Sequence, residues 1–155
     1  MPTVDWTRYL RYDELVATLH AFVEEYGHLA ALRSIGTSYE GRDLWLLTIT
    51  NQATGPDHEK PAFWLDANIH ATEVTGSTAA LHLIAHLLEH YNSDARIKQL
   101  LDERTFYILP RFNPDGAEHA LTQPTYIRST KRPYPFGEER DGLYPSDIDG
   151  DGKIV

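Results

Sequence analysis

In the stretch FWLDANIHATEVTGS, residues 63–77, an apolar run ends on His70 and a carboxylate follows three residues later at Glu73. A neutral imidazole and a carboxylate are both good zinc ligands, and a three-residue spacing across a turn lets two side chains reach one ion while their backbones stay anchored. The spacing alone is not specific, because His86 and Glu89 repeat it. Context separates the two pairs. Projected at 100° per residue, Ala80, Leu81, Ile84, Leu87, Leu88 and Tyr91 share one side of a helix, and His82, His86, Glu89 and His90 share the other, as a solvated face. His70 and Glu73 instead lie between a strand and a helix, at the sheet edge where α/β folds gather their sites. A second reading of the same residues stays open: His70 ends the strand and Glu73 complements the helix macrodipole from its first turn.

The surrounding elements follow from periodicity. Leu15, Leu19, Phe22, Val23 and Tyr26 predict an amphipathic helix over 12–26, with Asp13 and Glu14 in its first turn and Gly27 at its close. Segments 30–35 and 43–50 read as a hairpin around Ser38-Tyr39-Glu40-Gly41-Arg42. The apolar run 62–69 reads as a central strand covered on both faces. Helices are expected over 75–91 and 94–102, and a further buried strand over 105–112. Alternating strands and helices predict an α/β sandwich with a mixed sheet. The chain reads as one domain over 1–155 with its core in about 12–130, and 131–155 as loop or insertion. Asn113-Pro114-Asp115-Gly116 is expected to be a turn that positions the loop after it.

Composition narrows the chemistry. A formal charge of −9 without a long Lys/Arg cluster argues against nucleic acid or an anionic membrane as the main partner. With no cysteine, disulfides and thiolate metal sites are excluded, so any zinc must use nitrogen and oxygen. No 18-residue apolar stretch and no basic-then-apolar leader are present, which gives a cytoplasmic default. Near the end, DIDGDGKI places Asp147, Asp149 and Asp151 at alternate positions with Gly152 and Ile154 behind them, like the start of an EF-hand-type calcium loop. The acid expected at the twelfth position would be residue 158, and an acidic Gly-rich turn is the plainer reading of the same residues.

Three segments in order, YEGRDLWLLTIT, PAFWLDANIHATEVTGS and LPRFNPDGAEHAL, resemble the M14 (carboxypeptidase A-like) zinc carboxypeptidases over roughly residues 12–130. The resemblance implies that His70 and Glu73 are two of three protein zinc ligands. It also implies that Arg128, in YIRSTKR, polarises the scissile carbonyl and stabilises the oxyanion, a role suited to a permanently charged guanidinium with a fixed fork of donors. A surface arginine beside Lys131 and Arg132 is the alternative for Arg128.

Three departures accompany the resemblance. Thr72 stands where the family carries a substrate-binding arginine, and the family's Asn-Arg pair for a terminal carboxylate has no counterpart before Val155. The third zinc ligand and the catalytic glutamate are expected beyond Val155, so the chain reads as the N-terminal portion of a zinc carboxypeptidase-like domain, inactive alone and prone to self-association through an open sheet edge. The implied reaction is hydrolysis of a C-terminal peptide bond by metal-activated water. Two rivals are a zinc amidohydrolase that deacylates N-acyl amino acids, and a non-catalytic domain that binds peptide or calcium.

Overall fold

The computed structural model describes residues 2, 4–132, 147 and 150–152. Among these residues four α-helices and four strands follow in the order α1 (Tyr12–Tyr26), β1 (Ala30–Thr37), β2 (Asp43–Ile49), β3 (Ala62–Asp66), α2 (Val74–His90), α3 (Ala95–Glu103), β4 (Thr105–Leu109) and α4 (Pro114–Thr122), with two single-turn 3-10 helices, Gln52–Thr54 and Asp57–Glu59, between β2 and β3. The strands form one mixed sheet in the order β1-β2-β4-β3. β1 and β2 are antiparallel, with Ala30 opposite Ile49, and β2 pairs antiparallel with β4. β3 runs parallel to β4, with Phe63 opposite Phe106, across the connection made by α2 and α3. The expected α/β class and mixed sheet are therefore present, and helix α1 spans the predicted residues.

Helical periodicity puts Leu15, Leu19 and Phe22 of α1, and Leu81, Ile84 and Leu88 of α2, into one cluster with Ile97 and Leu101 of α3 and Leu47, Ile49 and Ile108 of the sheet. Burying each such side chain contributes about 1.5–3 kcal/mol relative to leaving it in water. The helical stripe anticipated for α2 is the buried one, and His82 and His86 are exposed. The ends of the molecule are also tied. α1 receives a remote cap: Glu118 Oε1 of α4 accepts the Tyr12 backbone N–H at 2.7 Å, while Glu118 Oε2 takes Arg11 Nε at 2.8 Å.

Two expectations need correction. β3 is not central: among the described residues it has one neighbour, β4, and Phe63 and Trp64 are 51% and 50% exposed. Its hydropathy suggested cover on both faces, but the described sheet covers neither fully. Phe63 leans on Phe106 with ring centroids 5.8 Å apart, and Trp64 on Tyr107 at 6.5 Å. The segment after Asn113 is not a loop either. Asn113 is the N-cap of α4, its side chain accepting the Gly116 N–H at 2.9 Å, and Pro114 fills the first helical position, where a missing N–H costs nothing.

Candidate metal centre

β3 ends at Asp66, but the chain stays pinned to the segment after β4: Ala67 N–H donates to Leu109 O and Phe112 N–H to Ala67 O. At Asn68 the backbone turns sharply, with φ at 57°, the only non-glycine residue with positive φ among the described residues. Asparagine tolerates this left-handed region because its short amide can bond locally. Here Asn68 Nδ2 donates to His70 O at 2.7 Å and reaches Ala71 O at 3.4 Å. Glu73 N–H then donates to His70 O, Gly76 N–H to Glu73 O, and α2 begins at Val74. Gly76 lets the helix come this close, because a Cβ there would lie 3.2 Å from the Asn68 nitrogen.

This turn brings His70 and Glu73 together. His70 Nδ1 lies 2.9 Å from Glu73 Oε1 and 3.0 Å from Oε2, so one nitrogen faces both oxygens. Glu73 is the N-cap residue of α2, yet its side chain makes no capping hydrogen bond. The carboxylate is turned toward the imidazole and away from the helix terminus. The His70 side chain is 30% exposed and that of Glu73 58%, which keeps the pair open to solvent on one side. The donor set suits zinc: one imidazole nitrogen and two carboxylate oxygens, all good zinc ligands, face one another. No group of three or more metal-competent side chains exists among the described residues.

The backbone of Arg128 is tied to the same turn. Its carbonyl accepts the Ala71 N–H at 2.8 Å, which fixes the loop after α4 against the His70–Glu73 turn. Asn113 adds a second tie, its Nδ2 donating to Ser129 O at 2.7 Å and to Ile69 O at 3.3 Å. The neighbouring cations are engaged elsewhere. Lys131 pairs with Glu40, and the Arg132 guanidinium lies over the Tyr39 ring at 6.0 Å. Both contacts hold the loop to the β1–β2 turn, and Arg128 itself is exposed. Asp115 strengthens that attachment by accepting from Ser38 Oγ, the Glu40 N–H and Arg42 Nη1 at 2.7–2.9 Å.

Several polar residues near the centre escaped the sequence reading. Arg111 is 4% exposed; its Nε donates to Ser77 Oγ at 3.2 Å and its Nη2 to Leu10 O at 3.0 Å. Burial pulls its guanidinium down to about 10. Its nearest carboxylate oxygen, on Glu118, stands 3.9 Å away. Burial pushes Glu118 upward, but the hydrogen bonds from Arg11 and the Tyr12 N–H, with the charges of Arg11 and Arg111, leave it below its usual range. The available signal was an arginine inside the otherwise apolar LPRF: a buried charge demands a partner nearby.

The Asp-Gly-rich stretch has a different character. Asp147 accepts three backbone N–H groups, from Gly150 and Asp151 on Oδ1 and from Gly152 on Oδ2, at 2.7–3.1 Å. That is a carboxylate engaged in closing its own turn. Asp149 lies outside the described residues, and nothing in the family comparisons below speaks for calcium.

The sequence of the chain matches a known family. The Peptidase_M14 profile, zinc carboxypeptidase, matches residues 15–150, and the chain belongs to that family. It is 32% identical over 130 residues to a zinc carboxypeptidase of Saccharothrix mutabilis subsp. capreolus, covering 84% of this chain and 30% of that protein. It is 31% identical over 128 residues to carboxypeptidase B of Astacus astacus, covering 83% of this chain and 40% of that one. Among solved structures, carboxypeptidase A from Helicoverpa armigera superposes with a TM-score of 0.73 at 25% identity, over 83% of this chain and 30% of that chain. Bovine thrombin-activatable fibrinolysis inhibitor, in a complex with tick carboxypeptidase inhibitor, shares the fold with a TM-score of 0.70 at 24% identity, over 83% of this chain and 39% of that chain. The chain thus spans well under half the length of the relatives it matches.

Proposed function

We propose that this chain contributes the first part of the active site of a zinc-dependent metallocarboxypeptidase, with His70 and Glu73 as zinc ligands and Arg128 as the donor to the substrate carbonyl. The observation that carries the reading is the approach of His70 Nδ1 to within 3.0 Å of both Glu73 carboxylate oxygens, at the end of a strand pinned to its neighbour. Zinc bound between these residues supplies Lewis acidity toward a carbonyl oxygen and lowers the pKa of a coordinated water. The chain's own residues supply orientation. The turn after Asn68 holds imidazole and carboxylate on one side of the backbone, and the tie from Ala71 N–H to Arg128 O sets the arginine loop next to them. Arg128 then offers a charged, planar fork of N–H donors where negative charge develops on the carbonyl oxygen during attack on a peptide bond. The substrate class that fits is a peptide cleaved at its C-terminal bond. Thr72, exposed between the two ligands, gives the substrate backbone no cation there and favours a second reading, the deacylation of N-acyl amino acids.

The test is zinc titration of the purified 155-residue chain by calorimetry. One weak site per chain is expected, lost in His70→Ala and retained in Arg128→Ala, because the guanidinium is no ligand. Undiminished zinc binding by His70→Ala overturns the reading.

A further inference from the structure

A line of buried polar groups runs from the segment after β4 to the candidate metal centre. Arg111 Nε donates to Ser77 Oγ at 3.2 Å, Ser77 Oγ donates to Asn68 Oδ1 at 3.1 Å, and Asn68 Nδ2 donates to His70 O at 2.7 Å. All three side chains are inaccessible, with Asn68 3%, Ser77 2% and Arg111 4% exposed. Their directions are mutually fixed. The arginine can only donate, so the serine oxygen accepts from it and turns its own proton to the asparagine oxygen, which leaves the asparagine NH₂ for the carbonyls of the turn. Asn68 also sits at φ 57° and its backbone carbonyl accepts the Asn113 N–H at 3.1 Å. A residue in a sparsely populated conformation persists where its surroundings over-determine it, and such residues gather at functional sites.

We propose that Asn68 is a positioning residue for the metal-binding turn: oriented by Ser77 and Arg111, its amide holds the His70 and Ala71 carbonyls so that imidazole, carboxylate and the Arg128 loop face one point. The inference rests on the reading of His70 and Glu73 as zinc ligands. It adds that their convergence is imposed from behind by an amide and is not a property of the His-x-x-Glu spacing. The Ala71 peptide makes this concrete. Its carbonyl lies within reach of Asn68 Nδ2 and its N–H donates to Arg128 O at 2.8 Å, so one peptide carries the amide's constraint to the arginine. Loss of such an outer contact weakens metal affinity by about 10–100-fold in zinc sites generally.

The discriminating substitution is Asn68→Gly in the full chain. Glycine adopts positive φ without strain, so the backbone course is kept while all three side-chain hydrogen bonds of Asn68 are removed. Asn68→Asp keeps the shape but presents an acceptor to two carbonyls. Two readouts are needed: zinc affinity by calorimetry, and amide hydrogen exchange at Ala71 and Glu73 by NMR on the metal-free protein. Asn68→Gly is expected to weaken zinc binding about tenfold and to speed exchange at both amides more than at the core amides of α2 and β4, with the metal-free Tm lowered because Ser77 loses its buried acceptor. Asn68→Asp is expected to do more harm on both readouts. Parental zinc affinity and parental exchange rates in Asn68→Gly would overturn the inference while leaving the zinc assignment standing. If no variant and no parent chain binds zinc, yet Asn68→Gly still accelerates exchange at Ala71 and Glu73, the zinc reading fails and the positioning role stands.

Discussion

The chain carries the same His-x-x-Glu spacing twice, at His70–Glu73 and His86–Glu89, and the two pairs behave differently. On the turn after β3, His70 Nδ1 faces both oxygens of Glu73. On helix α2, the His86 ring lies tilted against His90 with centroids 4.5 Å apart, His90 Nδ1 bonds the His86 carbonyl, and Glu89 Oε1 is buried without a hydrogen-bond partner among the described residues. A regular helix sends residues three apart along the same face but leaves their orientation to whatever neighbours they find. The turn is held by Asn68, Asn113 and the pairing of Ala67 with Leu109 and Phe112, and it fixes both side chains on one point. Backbone support, more than spacing, separates the converging pair from the one that does not converge.

The largest way to break this comparison is to exchange the two histidines' fates. His70→Ala should lower zinc affinity more than about 100-fold, beyond what loss of a supporting contact causes, and His86→Ala should leave it unchanged. Equal effects from both would show that the helix pair shares the ion. A smaller effect is expected behind the turn. A Cβ at Gly116 would lie 2.6 Å from Asn113 Nδ2 and 2.7 Å from Ala71 Cβ. Gly116→Ala should therefore displace Asn113 from Ile69 and Ser129, costing about 1–3 kcal/mol of stability and weakening zinc binding with it. Denaturant unfolding alongside the zinc titration checks both; full stability and parental affinity would remove Asn113 from the account.

The smallest effect sharpens the comparison from a distance. Asp102 of α3 accepts from Lys98, Asn51 and Tyr91. These partners, Lys98 foremost, hold its carboxyl well down, at about 2 against an ordinary 3.8. A depressed carboxylate contributes stability above its unfolded value and loses that contribution as pH falls through its folded one. Asp102→Asn should lower Tm by about 2 °C at pH 7, in line with an ion pair whose lysine is half exposed to screening solvent. The difference should fade between about pH 4 and pH 2, and zinc affinity should not move at all. A constant Tm difference across that range would contradict the assignment.

Much of this was legible in the sequence because it depends on periodicity. Leu15, Leu19 and Phe22 announced α1, the alternation of elements announced a mixed sheet, and an apolar run ending in His70 pointed to the turn on which His70 and Glu73 meet. Two features were not legible, for physical reasons. The hydropathy of AFWLD reports what a strand can bury, whereas its exposure depends on which strands lie beside it. Asn68, Ser77 and Arg111 are separated by 9 and 34 positions, and only the folded sheet brings them into one line. Helix α4 was within reach: Asn-Pro-Asp is a strong helix start as well as a turn, and reading it as a turn alone missed the cap that Asn113 provides.

The central claim is that one ion is gripped by His70 and Glu73. A crystal structure of the full chain grown with zinc, with the ion placed by its anomalous signal, tests this most directly. The account predicts zinc about 2.0–2.1 Å from His70 Nδ1 and about 2.0–2.2 Å from the Glu73 carboxylate, with His86 and His90 free of metal. An ion seated on the α2 histidines, or bound to His70 with Glu73 turned away, would contradict it.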